Sequence, residues 1–165
     1  MATGNRQVVA LKRSSARREK MEEALRVQLR QHQAERTEIL TRESAWAARV
    51  AELAAVIEAY RARITAMMTG GEAFSIANFD ACRRYIDATE LLKNEALGEV
   101  QALQRALAHN DEQTRQTRRA IAQNRGRIDI CKERVKKIES KLDDIAVDAQ
   151  DEETEEMALA RLSRK

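Results

Sequence analysis

The sequence is distinguished first by what it has little of, beginning with proline. Its 165 residues include no proline, five glycines and only 3% aromatic residues. A compact globular domain needs turn residues and bulky core side chains, so this composition argues against one. The remainder is 35% charged and rich in alanine, leucine, glutamate, glutamine and arginine, which is typical of long helices or coiled coils. We therefore expect a single all-α domain whose apolar surface lies along a narrow seam.

Cysteines and long apolar runs are also scarce. Cys82 and Cys131 are the two cysteines, and on one helix they would lie about 73 Å apart at 1.5 Å per residue. That distance excludes a disulfide within one chain. No stretch approaches the roughly 20 apolar residues that span a bilayer. The segment from Met1 to Lys20 also lacks the apolar region of a signal peptide. The sequence therefore predicts a soluble, cytosolic protein.

The residue patterns of catalytic sites are missing as well. The chain has no glycine-rich phosphate loop, no cluster with metal-ligand spacing and no nucleophile in a strand–turn–helix context. His32 and His109 are the two histidines. The simpler interpretation of His32 is a polar residue within a helical seam, not a metal ligand. A helical hairpin also offers no concave substrate pocket. We expect a protein that is not an enzyme and binds no cofactor or metal.

A turn is predicted near the middle of the chain, over residues 69–78. Gly70 and Gly71 weaken a helix by roughly 1 kcal/mol each relative to alanine and readily adopt positive φ, so they predict a helix C-terminus. Three residues that can cap a new helix follow, namely Ser75, Asn78 and Asp80. The first half of the chain can therefore fold back along the second.

Heptad patterns flank this turn. In helix 1, predicted over about residues 6–68, stepping from Leu25 gives ten apolar residues in thirteen seam positions, and the pattern thins upstream. In helix 2, predicted over about residues 79–148, stepping from Phe79 to Ile145 gives fourteen apolar residues in twenty. A sustained 3.5-residue repeat indicates a left-handed coiled coil.

The apolar and polar positions of the two seams match in one antiparallel alignment, which predicts the register of the helices. If partners have numbers that sum to roughly 148, Trp46 faces Val100 and the seam aromatics lie in the core. The polar seam position His32 then lies across from Asn110 and Thr114, and matched polar layers fix a register. We therefore predict a long antiparallel two-helix coiled-coil hairpin with a mid-chain turn.

An acidic C-terminal overhang is predicted over residues 149–165. The run from Asp143 to Glu156 carries eight acidic residues and no basic one. Helix 1 offers no partner for the overhang. It is either a frayed, solvated tail or a segment that orders on a partner.

Basic residues concentrate near the start of helix 1 and in the later part of helix 2. An antiparallel hairpin places these two segments side by side, near the chain termini. Residues 6–30 hold eight basic and three acidic side chains, and residues 115–141 hold ten and three. Three interpretations remain open: a solvated face partly neutralised by the acidic run, a surface that docks on an acidic protein, or a nucleic-acid site. No aromatic residue interleaves with these charges, so stacking on bases is missing and nucleic acid is the least favoured.

Apolar residues in the predicted turn also allow two interpretations. Phe74 and Ile76 lie where an apolar side chain is costly to expose. They either close the end of the hairpin or form a small docking patch for a partner.

Three short motifs accompany these features: Phe74-Ser-Ile-Ala-Asn-Phe79, Arg83-Arg84-Tyr85-Ile86, and Glu155-Glu156-Met157-Ala158. Together with the basic hairpin they resemble the FliJ/YscO family, the central-stalk proteins of bacterial type III secretion and flagellar export. The likeness extends over nearly the whole chain and is strongest to the Hrp-type members.

The resemblance implies a mechanism and a set of partners. Members of that family insert the end bearing their termini into a hexameric export ATPase and reach toward an export gate protein at the inner membrane. It implies a cytoplasmic protein peripheral to the export apparatus, monomeric when free, with secretion chaperones as further partners. The implied ATPase-facing residues are Arg13, Arg17, Arg18, Arg134, Lys136 and Lys137. The implied gate-facing residues are Phe74, Ile76, Phe79 and Tyr85.

An alternative of a different class is a structural scaffold or nucleic-acid-associated coiled coil that associates with itself through the same heptads. A stalk is expected to be a monomeric hairpin, whereas a scaffold is expected to form larger assemblies.

Overall fold

The computed structural model describes residues 2–162, which form two long helices. Helix α1 is Ala2–Thr69 and helix α2 is Ile76–Leu162. The helices pack against each other, and residues 2–162 contain no β-strand. This confirms the predicted all-α helical hairpin.

Both helices extend beyond the predicted bounds. Helix α1 begins at Ala2 instead of about residue 6, and α2 begins at Ile76 instead of about residue 79. Helix α2 also continues through the acidic run to Leu162, where the sequence predicted an end near residue 148. No glycine or proline follows Gly126. Adding a turn to an existing helix does not require a new nucleation event, so the unpaired segment remains helical.

The turn forms as the glycines predict. Gly70 has a φ of +83°, which a side chain would strain, and the amide of Gly71 donates to the carbonyl of Ala66 at 2.8 Å. This bond is characteristic of a Schellman motif and ends α1. Ser75 caps α2: its hydroxyl accepts from the amide of Asn78 at 3.5 Å. Of the three candidate caps, the structure therefore selects Ser75.

The contacts divide the chain into two units. The turn unit is Arg30–Arg115, and the terminal unit is Met1–Leu29 together with Gln116–Lys165. In the turn unit, the buried apolar side chains fall on the predicted seams of both helices. They are Leu53, Ile57, Met67, Cys82, Ile86, Ala96 and Leu103. The strong apolar stripe predicted near the turn is thereby confirmed.

Two seam positions of the turn unit are exceptions. Trp46 was predicted to be core, but 36% of its surface is exposed. Arg36, which the heptad steps from Leu25 place on the seam, is exposed too. A tryptophan is too large to be buried fully in the narrow interface between two helices, so part of its side chain remains at the surface. Arg36 instead extends along the interface, and its Nε donates to Asp111 Oδ1 at 2.9 Å.

A layer of polar side chains lies beside the apolar seam of the turn unit. Asn110 is buried, and its Nδ2 donates to Glu35 Oε2 at 3.1 Å. The Nδ1 atom of half-buried His32 lies 3.5 Å from the same carboxylate oxygen. His32 thus contributes to the polar layer that the seam pattern indicates.

The terminal unit has a thinner apolar core. Its buried apolar side chains are Val8, Ile128 and Val135. Ser15, Thr117 and Asn124 are buried beside them, and Asn124 Nδ2 donates to the carbonyl of Arg18 at 2.8 Å. Ile145, the last position of the predicted seam, is exposed, so the buried seam ends before it.

Contacts within each unit confirm an antiparallel register close to the predicted one. In the turn unit, Arg36 contacts Asp111 and Gln104 donates to Glu43; both pairs of numbers sum to 147. In the terminal unit, Gly4 faces Leu142, because a Cβ atom added to Gly4 would contact the Leu142 side chain. These two residue numbers sum to 146.

Truncation of Ile57 should test the seam. Ile57 is only 2% exposed, so Ile57→Ala should lower the free energy of unfolding by about 2 to 5 kcal/mol through lost burial and a cavity. Urea unfolding followed by far-UV circular dichroism measures this. Ile130→Ala is the matched control, because Ile130 is 53% exposed and its truncation should change stability by about 0.5 kcal/mol or less. Equal losses in the two variants would contradict the seam.

Candidate interaction surfaces

The terminal unit carries a basic surface, which we define as Arg13, Arg17, Arg134, Lys136 and Lys137. All five side chains are exposed on the two helices. None has an ion-pair partner within the part of the chain that the structure describes. Their charges are therefore available to another molecule.

Other cations of the terminal unit occupy the carboxylates near the helix interface. Lys12 Nζ lies 2.7 Å from Glu139 Oε1, and Lys132 Nζ lies 2.9 Å from Glu19 Oε1. These pairs join α1 to α2 and leave those carboxylates unavailable to the basic surface.

Glu22 is shared by a cation from each helix. Its Oε1 accepts from Arg125 Nε at 2.9 Å and from Arg26 Nη2 at 2.7 Å. These hydrogen bonds, that of Arg125 first, hold the pKa of the Glu22 carboxyl below its usual value of 4.5. The hydrogen bond from Lys132 to Glu19 similarly raises the pKa of the Lys132 ammonium. Both shifts favour the charged forms that join the helices.

Arg18 differs from the other residues for which the resemblance implies ATPase contact. It is half-buried in the seam, and its carbonyl accepts from Asn124. Its Nε is buried without a hydrogen-bond partner among the described residues. Arg18 therefore contributes to helix packing in addition to its charge. The heptad steps from Leu25, continued toward the N-terminus, reach Arg18 and are consistent with this position.

A groove accompanies the basic surface. It encloses about 460 Å³ between the helices of the terminal unit. Its lining combines apolar side chains with two cations of the basic surface: Gln7, Ala10, Leu11, Arg134, Lys137 and Ile138. The surface can therefore contact apolar as well as acidic groups of a partner.

The turn unit presents a second, apolar surface, which we call the turn surface and define as Met68, Phe74, Ile76, Phe79 and Tyr85. Met68, Phe74, Ile76 and Tyr85 are exposed, whereas Phe79 is half-buried. The Phe74 and Phe79 ring centroids are 6.2 Å apart. Phe74 is 57% exposed despite its contact with Phe79, and Ile76 is 69% exposed, so both present apolar area to a partner. Sequence reasoning missed Met68, which lies beside the seam residue Met67.

Tyr85, for which the resemblance implies contact with the export gate, packs on another aromatic residue of the turn unit. Its ring lies on that of Tyr60, with centroids 4.4 Å apart and planes inclined by 33°. Tyr60 is a seam residue and half-buried. This contact orients Tyr85 at the surface of α2.

A lateral groove on the turn unit was not predicted. It encloses about 380 Å³ and is lined by Trp46, Arg49, Leu53, Leu92, Glu95, Ala96 and Glu99. Leu92 is apolar, exposed and off the seam of α2. The sequence signal that could have identified this groove is Leu92, an apolar residue outside the heptad positions of helix 2.

The acidic run lies on exposed, helical backbone. All the residues from Asp143 to Glu156 are exposed on α2. None of its carboxylates forms an ion pair with another described residue. It therefore forms no direct ion pair with the basic surface within residues 2–162.

Within residues 2–162, no group of three or more histidine, cysteine or acidic side chains is placed to hold a metal ion. Neither α1 nor α2, as far as the structure describes them, has a stretch long and apolar enough to cross a membrane.

The fold and surfaces define a helical-hairpin protein with exposed cationic and apolar contact surfaces. Residues 6–162 match the family model described as bacterial type III secretion protein (HrpB7). The chain belongs to this family and hence to the type III secretion proteins. No curated protein and no solved structure matches the chain.

The charge on Glu22 should make stability depend on pH in the acid range. Because folding lowers its pKa, Glu22 contributes stability that is present above the unfolded-state pKa and lost as pH falls from about 4.5 through the folded-state pKa. Glu22→Gln should therefore flatten the pH dependence of urea unfolding below about pH 5. Glu23→Gln is the control, since Glu23 forms no ion pair with a described residue. An unchanged acid slope in Glu22→Gln would contradict the assignment.

Proposed function

We propose that this chain is the non-enzymatic central stalk of a bacterial type III secretion apparatus. In this proposal it inserts the basic surface of the terminal unit into a hexameric export ATPase and directs the turn surface toward the export gate protein. It acts in the cytoplasm, peripheral to the inner membrane, as a monomer when free. It uses no cofactor or metal.

The observation that carries the proposal is the surplus of unpaired positive charge on the terminal unit. Five exposed cations have no carboxylate within ion-pairing distance among the described residues, although neighbouring cations do. Unpaired, like-charged side chains repel one another and favour a partner of opposite sign. An acidic surface on the inner side of an ATPase ring would satisfy them.

A stalk can influence an ATPase without catalysing a reaction itself. A ring of six subunits has six equivalent binding sites, but a single asymmetric helical hairpin can contact them only unequally. Unequal contacts stabilise one conformation of a subunit over another, and this differential affinity shifts the populations of the subunit states. The proposal therefore requires defined contacts, and it requires no catalytic residue in this chain.

The turn surface supports the second contact. Ile76, Phe74 and Met68 expose apolar area at the connection, and such area favours burial against another protein. Secretion chaperones are further proposed partners.

Reversal of charge on the basic surface should abolish ATPase binding. In Arg134→Glu/Lys136→Glu/Lys137→Glu, three attractive contacts become repulsive, and co-purification with the export ATPase should be lost. Stimulation of ATP turnover, measured at low and moderate salt, should be lost with it. The three side chains are exposed, so helicity should be retained.

The matched control is the same change at three exposed cations of the turn unit. Arg30→Glu/Arg42→Glu/Arg105→Glu changes the net charge equally but lies outside the basic surface. It should bind the ATPase as the unaltered protein does. Binding that survives in both variants would refute the role of the basic surface, and a dimeric free protein would favour a scaffold.

An aspartate at Ile76 should disable secretion without loss of ATPase binding. Ile76 is 69% exposed, so Ile76→Asp removes apolar contact area with little effect on the seam. Secretion by intact cells and ATPase co-purification are the two measurements. Leu91→Asp is the control, because Leu91 is 67% exposed but lies outside the turn surface. Normal secretion in Ile76→Asp would remove the gate contact from the proposal.

A further inference from the structure

The lateral groove of the turn unit has an apolar floor and apolar walls. Leu53 and Ala96, from opposite helices, are buried at its base. Trp46 and Leu92 line its sides and are 36% and 50% exposed. Two helices alone leave these side chains partly in water, and a third helix laid along the groove would bury them.

The charge of the groove is acidic on the α2 side. Glu95 and Glu99 lie one helical turn apart, and both are exposed. Neither pairs with a cation within residues 2–162. On the α1 side, Arg49 lies 3.1 Å from Glu52 and is therefore already paired. The groove combines apolar contact area with two unpaired carboxylates in a fixed spacing.

We propose that this groove is a docking site for an amphipathic helix of another protein. The docked helix would place apolar residues, spaced one turn apart, against Trp46 and Leu92. Lysine or arginine residues bordering that apolar stripe would pair with Glu95 and Glu99. The carboxylates repel phosphate groups, so the groove does not suit nucleic acid or anionic lipid. This site is separate from the basic surface and the turn surface, and it does not depend on the stalk function.

Trp46 provides the measurement, because it is the single tryptophan of the chain. The probe is a synthetic helical peptide of leucine, alanine and lysine, with leucines in one stripe and lysines bordering it. Binding to the full chain should shift the Trp46 emission to shorter wavelength and reduce its quenching by acrylamide. A matched peptide with glutamate in place of lysine should produce neither change.

Charge reversal distinguishes the groove from unspecific association. Glu95→Lys/Glu99→Lys should weaken binding of the lysine peptide by about tenfold or more, because two attractive pairs become repulsive. Glu152→Lys/Glu156→Lys makes the same change at the same spacing in the acidic run and should bind as the unaltered chain does. Circular dichroism of both variants tests that helicity is retained.

Three results would overturn the proposal. The first is equal binding of the lysine and glutamate peptides. The second is equal binding of the lysine peptide by both double variants. The third is quenching of Trp46 by acrylamide that rises as the free protein is diluted, since a second copy of the chain would then be the occupant of the groove.

Discussion

The structure depends on burial of one narrow stripe along each helix. A helix with few aromatic residues and many charges has little other apolar surface to remove from water, so the seam determines which faces point inward. In the turn unit, Ile57 is the most deeply buried large side chain of this stripe. The terminal unit buries the apolar side chains of Val8, Ile128 and Val135, together with the polar side chain of Asn124. Most of the side chains in the basic surface and the turn surface lie off the seam or at its exposed edge.

Ion pairing then determines which of those outside charges remain available. In the terminal unit the carboxylates of Glu19, Glu22 and Glu139 pair with cations of the opposite helix. Each such exposed pair contributes little stability by itself. Their larger consequence is that they determine which cations remain available to a partner. Pairing occupies some cations and leaves others, such as Arg134 and Lys137, without a partner in the described chain. Net charge alone does not reveal this division, since acidic and basic residues nearly cancel over the whole sequence.

Periodicity and turn chemistry were sufficient to predict the fold. The heptads, the glycine that ends α1 and the approximate register are properties of local sequence or regular repeats, and the structure confirms them. The contact surfaces were less accessible to such reasoning. A heptad position does not reveal how much of a tryptophan fits between two helices, so the exposure of Trp46 was missed. Nor does composition tell which carboxylate a given arginine reaches, because that depends on rotamers and on the opposite helix. The extension of α2 to Leu162 was missed because the end of a heptad pattern marks the end of burial, whereas the helix itself continues as long as no glycine or proline interrupts it.

The unbroken backbone of the acidic run has an electrostatic consequence. Because α2 continues as a helix through Glu156, these carboxylates cannot fold back against the cations earlier in the same helix. Positive and negative charge therefore stay separated along α2, which gives the helix a permanent electric dipole in addition to that of its peptide groups. At low ionic strength such a dipole experiences a torque in the field of a charged partner, so the molecule would be oriented before contact. At physiological salt the Debye length of about 8 Å confines this orientation to the last stage of approach.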